Sequence, residues 1–248
     1  MKKLVRPSVV SGRLAAPASK SVAQRAIAIA SLAKGESVLR GCGTSDDVLA
    51  AIEVCRGLGA KITKNDNELI INGGISAPPQ PLSCGESGLG IRMFSAIAAI
   101  LNKPITLTGH GTLAKRPMEV VEESIKALGA QCKTQNGFIP ITVQGSIKGG
   151  VAKVDGSLSS QVLTGMLIAS PFAQADMIIE VINLQSKPYI DLTIDTMKTF
   201  GVEVVNNDYQ SFKISSGQQY QSTSYTVEGD WSAAAFLLVA GAIAGNVT

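Results

Sequence analysis

Three stretches of this chain share one layout: "RGLGAKITKNDNELIING" (56–73), "KALGAQCKTQNGFIPITVQG" (126–145) and "KTFGVEVVNNDYQSFKISSG" (198–217). Each reads as a helix end, a glycine, a short strand, a turn built on Asn with Asp or Gly, and a second strand. The aligned glycines, Gly59, Gly129 and Gly201, stand 70 and 72 residues apart. A glycine there suits the residue just past a helix, and the Asn-rich turns suit hairpins. The preceding helices are predicted in "TSDDVLAAIEVC", "AKRPMEVVEESI" and "SKPYIDLTIDTM", with Asp46, Asp47 and Pro117 as ordinary helix-start residues. A second set of helices starts at "SKSVAQRAIAIA", "ESGLGIRMFSAIAAI", "SSQVLTGMLIA" and "DWSAAAFLLVAGAIAG". Here Ser19, Ser87, Ser159 and Asp230 are spaced by 68, 72 and 71 residues. Strand-like runs "ESVLRG", "PITLTG" and "MIIEVI" follow the first three. The unit is thus helix, strand, helix, strand, strand, with a further strand ahead of it. Each is too small to fold alone, so three units are expected to pack around one core.

The starts of these second helices are oddly charged. A helix N-terminus is the positive end of the dipole and exposes free N–H groups, so cations there are disfavoured by roughly 0.3–1 kcal/mol. Yet Lys20 and Arg25 open the first helix, Arg92 lies five residues into the second, and Lys115–Arg116 precedes a third. Ser19, Ser21, Ser87 and Ser159 taken singly are plain helix caps, Gly88 and Gly90 turn glycines, and Lys115 and Arg116 solvated loop charges. Arg92 alone could pair with Glu86. Their recurrence at equivalent points of a repeat points instead to a shared anion site. Serine hydroxyls, glycines and free amides suit a phosphate or carboxylate. Each hydrogen bond to such a charged group is worth roughly 1.5–3 kcal/mol, more than the dipole cost.

Composition narrows the ligand. A net charge of +3 with no dense basic stripe argues against nucleic acid. One histidine, His110, and four cysteines without a CxxC pair argue against zinc and for isolated buried thiols in a reducing compartment. Pro7 and Ser8 interrupt the basic start, so it does not read as a signal peptide. The longest apolar run, "AAAFLLVAGAIAG", is too short to span a bilayer. A soluble, cytoplasmic protein with no membrane partner is expected.

Six motifs, "PASKSVAQRA", "CGESGLGIRMFSA", "LTGHGTLAKRPM", "VDGSLSSQVLTG", "SKPYIDLTIDTMKTFGV" and "VEGDWSAAAF", cover essentially the whole chain. In order and spacing they resemble the EPSP synthase (3-phosphoshikimate 1-carboxyvinyltransferase) family of enolpyruvyl transferases. The sister family acting on UDP-N-acetylglucosamine resembles the chain less: it has Lys-Asn where this sequence has Lys20-Ser21, and lacks the "SSQ" element. The resemblance implies an α+β fold, an inside-out α/β barrel (prism-like) domain of three βαβαββ-type repeats, with the start of a second similar domain. It implies a transferase of the shikimate pathway of aromatic amino-acid biosynthesis. Such an enzyme moves the enolpyruvyl group of phosphoenolpyruvate to the 5-hydroxyl of shikimate 3-phosphate and releases phosphate, usually as a monomer and without metal or organic cofactor.

Carried over by motif, Ser21 and Arg25 hold the shikimate carboxylate. Ser159, Ser160 and Ser186 hold the 3-phosphate, with Gln161 and Tyr189 against the ring. Lys20, the catalytic candidate, lies between the substrates; Gly88, through its backbone, Arg116 and Gln161 receive phosphoenolpyruvate, with Arg92 close by. The family's general base, an Asp, and its helpers lie in a domain that would follow residue 248. The expectation is therefore a complete three-repeat substrate-binding domain over 15–227. Residues 1–14 form the first strand of a mostly absent second domain and 228–248 its first helix, so the chain looks truncated and is expected to be inactive alone. Two other readings remain open: a non-catalytic anion-binding domain, and the UDP-sugar transferase.

Overall fold

Gly59, Gly129 and Gly201 adopt φ of 106°, 90° and 83°, and each closes the helix before it. Only glycine takes this left-handed backbone at no steric cost. The turns that follow place one or two further residues at positive φ, Asp66, Asn136–Gly137 and Asp208–Tyr209, so each chain segment doubles back as a hairpin. The computed structural model describes residue 4 and residues 9–157 and 160–247. Strand β1 (Val10–Gly12) leads into a first unit of α1 (Lys20–Leu32), β2 (Glu36–Arg40), α2 (Asp46–Gly57), β3 (Lys61–Asn65) and β4 (Glu68–Asn72). The second unit is β5 (Leu82–Ser83), α3 (Gly88–Ala98), β6 (Ile105–Thr108), α4 (Glu119–Ala127), β7 (Gln131–Gln135) and β8 (Phe138–Gln144). The third is β9 (Gly150–Asp155), α5 (Ser160–Ala169), β10 (Met177–Ile182), α6 (Lys187–Thr199), β11 (Val205–Asn207) and β12 (Ser211–Ile214). Then come β13 (Ser224–Thr226), α7 (Trp231–Ala244) and β14 (Gly245–Val247).

Each unit contributes one four-stranded sheet, ordered β13-β2-β4-β3, β5-β6-β8-β7 and β9-β10-β12-β11. In the second and third sheets the strand ahead of the central helix lies parallel to the strand after it. The first unit departs from the expected βαβαββ order. Its leading place is filled by β13, from the far end of the array, with Ser224 opposite Val38. Strand β1 instead pairs in parallel with β14, apart from the three sheets.

Hydrophobic pattern sets the layers. α2, α4 and α6 bury one face each, as Ile190, Thr193, Thr196 and Met197 show at helical spacing. Of the remaining helices, α1, α3 and α5 are buried on nearly every side and form the centre. α1 is buried from Val22 through Leu32, α3 everywhere but Arg92, and α5 everywhere but Gln161. Helices inside and sheets outside make the inside-out barrel. α3 and α5 approach so closely that a Cβ on Gly165 would stand 2.8 Å from the Met93 Cα and 2.9 Å from its carbonyl oxygen. The cysteines are buried and free, the Cys55 thiol pushed up to about 12 by burial. α7 buries only Ala234 and leaves Trp231, Phe236 and Ile243 more than 70% exposed. No helix among the described residues is long and apolar enough to cross a membrane.

Candidate functional site

The central helices bury everything except Lys20, Ser21, Arg92 and Gln161, and all four sit in their first or second turns. Capping explains why the helices begin together. The Ser19 hydroxyl accepts from Val22 N–H and the Ser87 hydroxyl from Gly90 N–H. These two serines are therefore consumed as caps. The residues just after them are what the starts present outward. Ser21 from α1, Leu89 from α3, Ser160 and Gln161 from α5, and Ser186 and Tyr189 at the start of α6 line one cavity of about 260 Å³, floored by Arg25. Ser186 has left-handed backbone (φ 58°) and makes no side-chain cap bond, so its hydroxyl is not used up by the helix. Ser159 lies outside the described residues.

Arg25 is the electrostatic centre. It is 1% exposed, and among the described residues it makes no ion pair. Its Nε donates to Thr193 Oγ1 at 2.8 Å, Nη1 to the Ser21 carbonyl at 2.8 Å, and Nη2 to Thr164 Oγ1 at 3.1 Å and the Tyr189 carbonyl at 3.2 Å. Of five guanidinium hydrogens these bonds use four, all to neutral oxygens. Burial lowers the Arg25 pKa to about 10, and no carboxylate offsets it. A buried cation with one N–H unused among the described residues, beside a polar cavity, is arranged for an incoming anion.

A second cationic cluster adjoins through Gln161. Arg92 Nη1 donates to the Gly88 carbonyl at 3.0 Å and to Gln161 Oε1 at 3.3 Å. A Cβ at Gly88 would meet Arg116 Nη1 at 2.5 Å and Arg92 Nη1 at 3.1 Å, so two guanidinium groups crowd one bare stretch of backbone. Burial lowers the Arg92 pKa, with Arg116 adding repulsion. The alternative pairing of Arg92 with Glu86 does not form. Glu86 accepts instead from Thr112 N and Oγ1 at 2.7 and 2.8 Å, and those bonds hold its pKa down.

Lys20 is placed differently from its neighbours. Its ammonium pairs with Asp47 of α2 at 3.0 Å and lines an adjoining cavity of about 430 Å³ with Ser21, Tyr189, Glu228 and Trp231. Sequence reasoning had Asp47 only as a helix-start residue and did not single out Thr164 or Thr193. The signal available was their polarity within otherwise apolar helix faces. A third cavity, about 280 Å³, lies by the far ends of α1 and α5 but is walled by Leu32, Pro171, Phe172 and Ala173 with Lys34 as its one cation. That lining does not suit a polyanion.

The sequence profile of EPSP synthase (3-phosphoshikimate 1-carboxyvinyltransferase) matches residues 5–248. The chain belongs to the EPSP synthase family. Among its curated EPSP synthase relatives, the 3-phosphoshikimate 1-carboxyvinyltransferase of Methanocorpusculum labreanum is 40% identical over 252 residues, covering 100% of this chain and 60% of the relative. That of Clostridium perfringens is 38% identical, covering 100% and 59%. A solved EPSP synthase from Acinetobacter baumannii superposes with a TM-score of 0.85 at 27% identity, over 98% of this chain and 55% of that one. The chain spans about 60% of the length of the curated EPSP synthase relatives it matches.

Proposed function

We propose that this chain is the substrate-binding part of a 3-phosphoshikimate 1-carboxyvinyltransferase, holding shikimate 3-phosphate in the Arg25 cavity and phosphoenolpyruvate at the Gly88–Arg116 cluster. The observation that carries the reading is the buried Arg25, paired with no carboxylate among the described residues, facing a cavity ringed by Ser21, Ser160 and Ser186. Ser21 and Arg25 take the shikimate carboxylate, Ser160 and Ser186 the 3-phosphate, and Gln161 and Tyr189 flank the ring. Ser159 joins the phosphate set by motif alone. Gly88 N–H, Arg116 and Gln161 take phosphoenolpyruvate, with Arg92 neutralising its charge. Lys20, released from Asp47, bridges the two ligands. By the same reading residues 15–227 form the substrate-binding domain, and β1 with residues 228–248 belong to a second domain. The names of the curated relatives favour shikimate 3-phosphate over a UDP sugar.

The chemistry is an addition and an elimination. The 5-hydroxyl oxygen attacks C2 of phosphoenolpyruvate as C3 gains a proton and the hydroxyl loses its own. The tetrahedral adduct then expels phosphate and a C3 proton, leaving the enol ether. Charge on carboxylate and phosphate persists throughout, so fixed cations and amides stabilise the adduct without reorganising. Of the carboxylates near the cavities, Glu86 is held by Thr112 and Asp230 caps α7, while Asp47 pairs with Lys20 in the empty chain and Glu228 lines the Lys20 cavity. The chain spans about 60% of its curated relatives' length, and by the family resemblance the general base lies in the remainder, so the chain on its own is expected to bind and not to turn over. Calorimetric titration should show shikimate 3-phosphate binding, weakened by added salt, and no binding of UDP-N-acetylglucosamine. A malachite-green assay with both substrates should show no sustained phosphate release. Binding of the UDP sugar alone, or of neither ligand, would overturn the assignment.

The second cluster gives its own prediction. A methyl at Gly88 displaces the Arg116 guanidinium, so Gly88→Ala should weaken phosphoenolpyruvate binding, measured with shikimate 3-phosphate present, by about tenfold, the worth of one charge-assisted hydrogen bond. Shikimate 3-phosphate affinity should stay within about twofold, as Gly88 does not line its cavity.

A further inference from the structure

The first turn of α6 brings Ser186 and Tyr189 to the anion cavity, and it is braced by a residue with no part in the reading so far. The hairpins β7–β8 and β11–β12 turn through two successive left-handed residues, Asn136–Gly137 (φ 53° and 81°) and Asp208–Tyr209 (φ 49° and 58°). Glycine is the residue such a turn prefers at its second position. The third repeat has tyrosine there, a bulky side chain in a backbone region that such residues rarely adopt. A strained residue persists when its surroundings over-determine it.

The surroundings of Tyr209 are the start of α6. Its hydroxyl donates to Asp191 Oδ1 at 2.8 Å, and the Lys187 ammonium stands 4.7 Å from its ring centroid. Its own N–H is held by Asn206 Oδ1 at 2.8 Å, and its ring meets Phe212 edge-on. Lys187 and Asp191 are four residues apart and share one side of the helix. Between and beside them lie Tyr189 and Ser186. The α6 start lacks a side-chain cap, and its first residue is a lysine that the dipole disfavours. Contacts from outside the helix must supply what the missing cap does not.

We propose that Tyr209 is a positioning residue: from the β11–β12 turn it clamps Lys187 and Asp191, and so holds Ser186 and Tyr189 in the geometry that grips shikimate 3-phosphate. The last clause rests on the function proposed above; the clamp itself does not. Because the Tyr189 carbonyl also accepts from Arg25, the clamp reaches the buried guanidinium too.

The test compares the chain with Tyr209→Phe, which loses only the hydroxyl, and Tyr209→Gly, which suits the turn but releases the helix. The Kd for shikimate 3-phosphate should rise about threefold in the first and about tenfold in the second. The Tm should stay within about 2 °C in Tyr209→Phe, which keeps the ring contacts; in Tyr209→Gly the relieved turn offsets only part of the lost ring packing, so affinity is read well below its Tm. In the ligand-free chain, amide exchange at Tyr189 and Ile190 should quicken in Tyr209→Gly, with the far end of α6 unchanged. Affinities within twofold of the parent, or an affinity loss that merely follows a falling Tm, would overturn the proposal. Should the parent itself fail to bind shikimate 3-phosphate, the proposed function falls. The exchange data then decide the clamp alone: faster first-turn exchange upholds it, unchanged exchange rejects it.

Discussion

Replacing Arg25 by methionine is expected to weaken shikimate 3-phosphate binding by about 10- to 100-fold, the loss of one charge-assisted hydrogen bond from the N–H that the protein leaves unused. The fold should barely notice. Arg25 is buried against neutral oxygens only, so its removal strands no charge. Thr164 and Thr193 bond each other at 3.1 Å, and Thr193 Oγ1 also donates to the Tyr189 carbonyl at 2.8 Å, so both keep partners without the guanidinium. Thr164, Thr193 and the Tyr189 carbonyl each lose one donor and keep another partner, and the Ser21 carbonyl loses its side-chain donor, at a cost of about 1–2 kcal/mol, partly offset by the relieved desolvation of the cation. Calorimetry and thermal melting on the same samples separate the effects: binding lost with Tm nearly kept. An unchanged Kd would remove Arg25 from the site.

The same residue predicts a pH dependence. The cation must be protonated to hold an anion, and its pKa in the empty chain is lowered to about 10 by burial. Affinity should therefore fall as pH rises through about 10, well before an exposed arginine would lose its proton. The methionine variant should show a shallower fall.

The largest stability effect is expected at Gly165. A Cβ there would press on the Met93 backbone at 2.8 and 2.9 Å, and backbone in the middle of a buried helix has nowhere to move. Gly165→Leu should cost about 3 kcal/mol or more and lower Tm by roughly 6–12 °C, measured by circular dichroism. The contact also matters for the site. Arg92 precedes Met93, and Gln161 lies one turn before Gly165, so the close crossing is what lets their side chains meet at 3.3 Å. A Tm equal to the parent's would mean that the two helices are free to separate there.

Much of the fold was legible because it repeats. A 70-residue period carries helix-ending glycines and hairpin turns that are local in sequence and that each unit states again. β13 was not legible. Its three residues bear no pattern, and they pair with a strand some 186 positions earlier, Ser224 against Val38. The site divides similarly. Helix starts rich in serine and cations announce an anion-binding region, and Ser21, Arg25, Ser160, Gln161, Ser186 and Tyr189 do lie together around one cavity. What sequence could not give is the set of partners. Thr193 and Thr164 reach Arg25 across 168 and 139 residues, and the pairing of Lys20 with Asp47 depends on how α1 meets α2. Capping was also informative by subtraction: Ser19 and Ser87 are consumed at helix ends, so the hydroxyls that remain available are others.

The central claim is that several helix starts of a threefold repeat converge on one polyanion site. A crystal structure of the chain grown with shikimate 3-phosphate tests it most directly. The account predicts the phosphate against Ser160 and Ser186 and the carboxylate on Arg25 and Ser21. Ligand seated instead beside Lys34 and Phe172 at the opposite end of α1, with the Arg25 cavity empty, would contradict it.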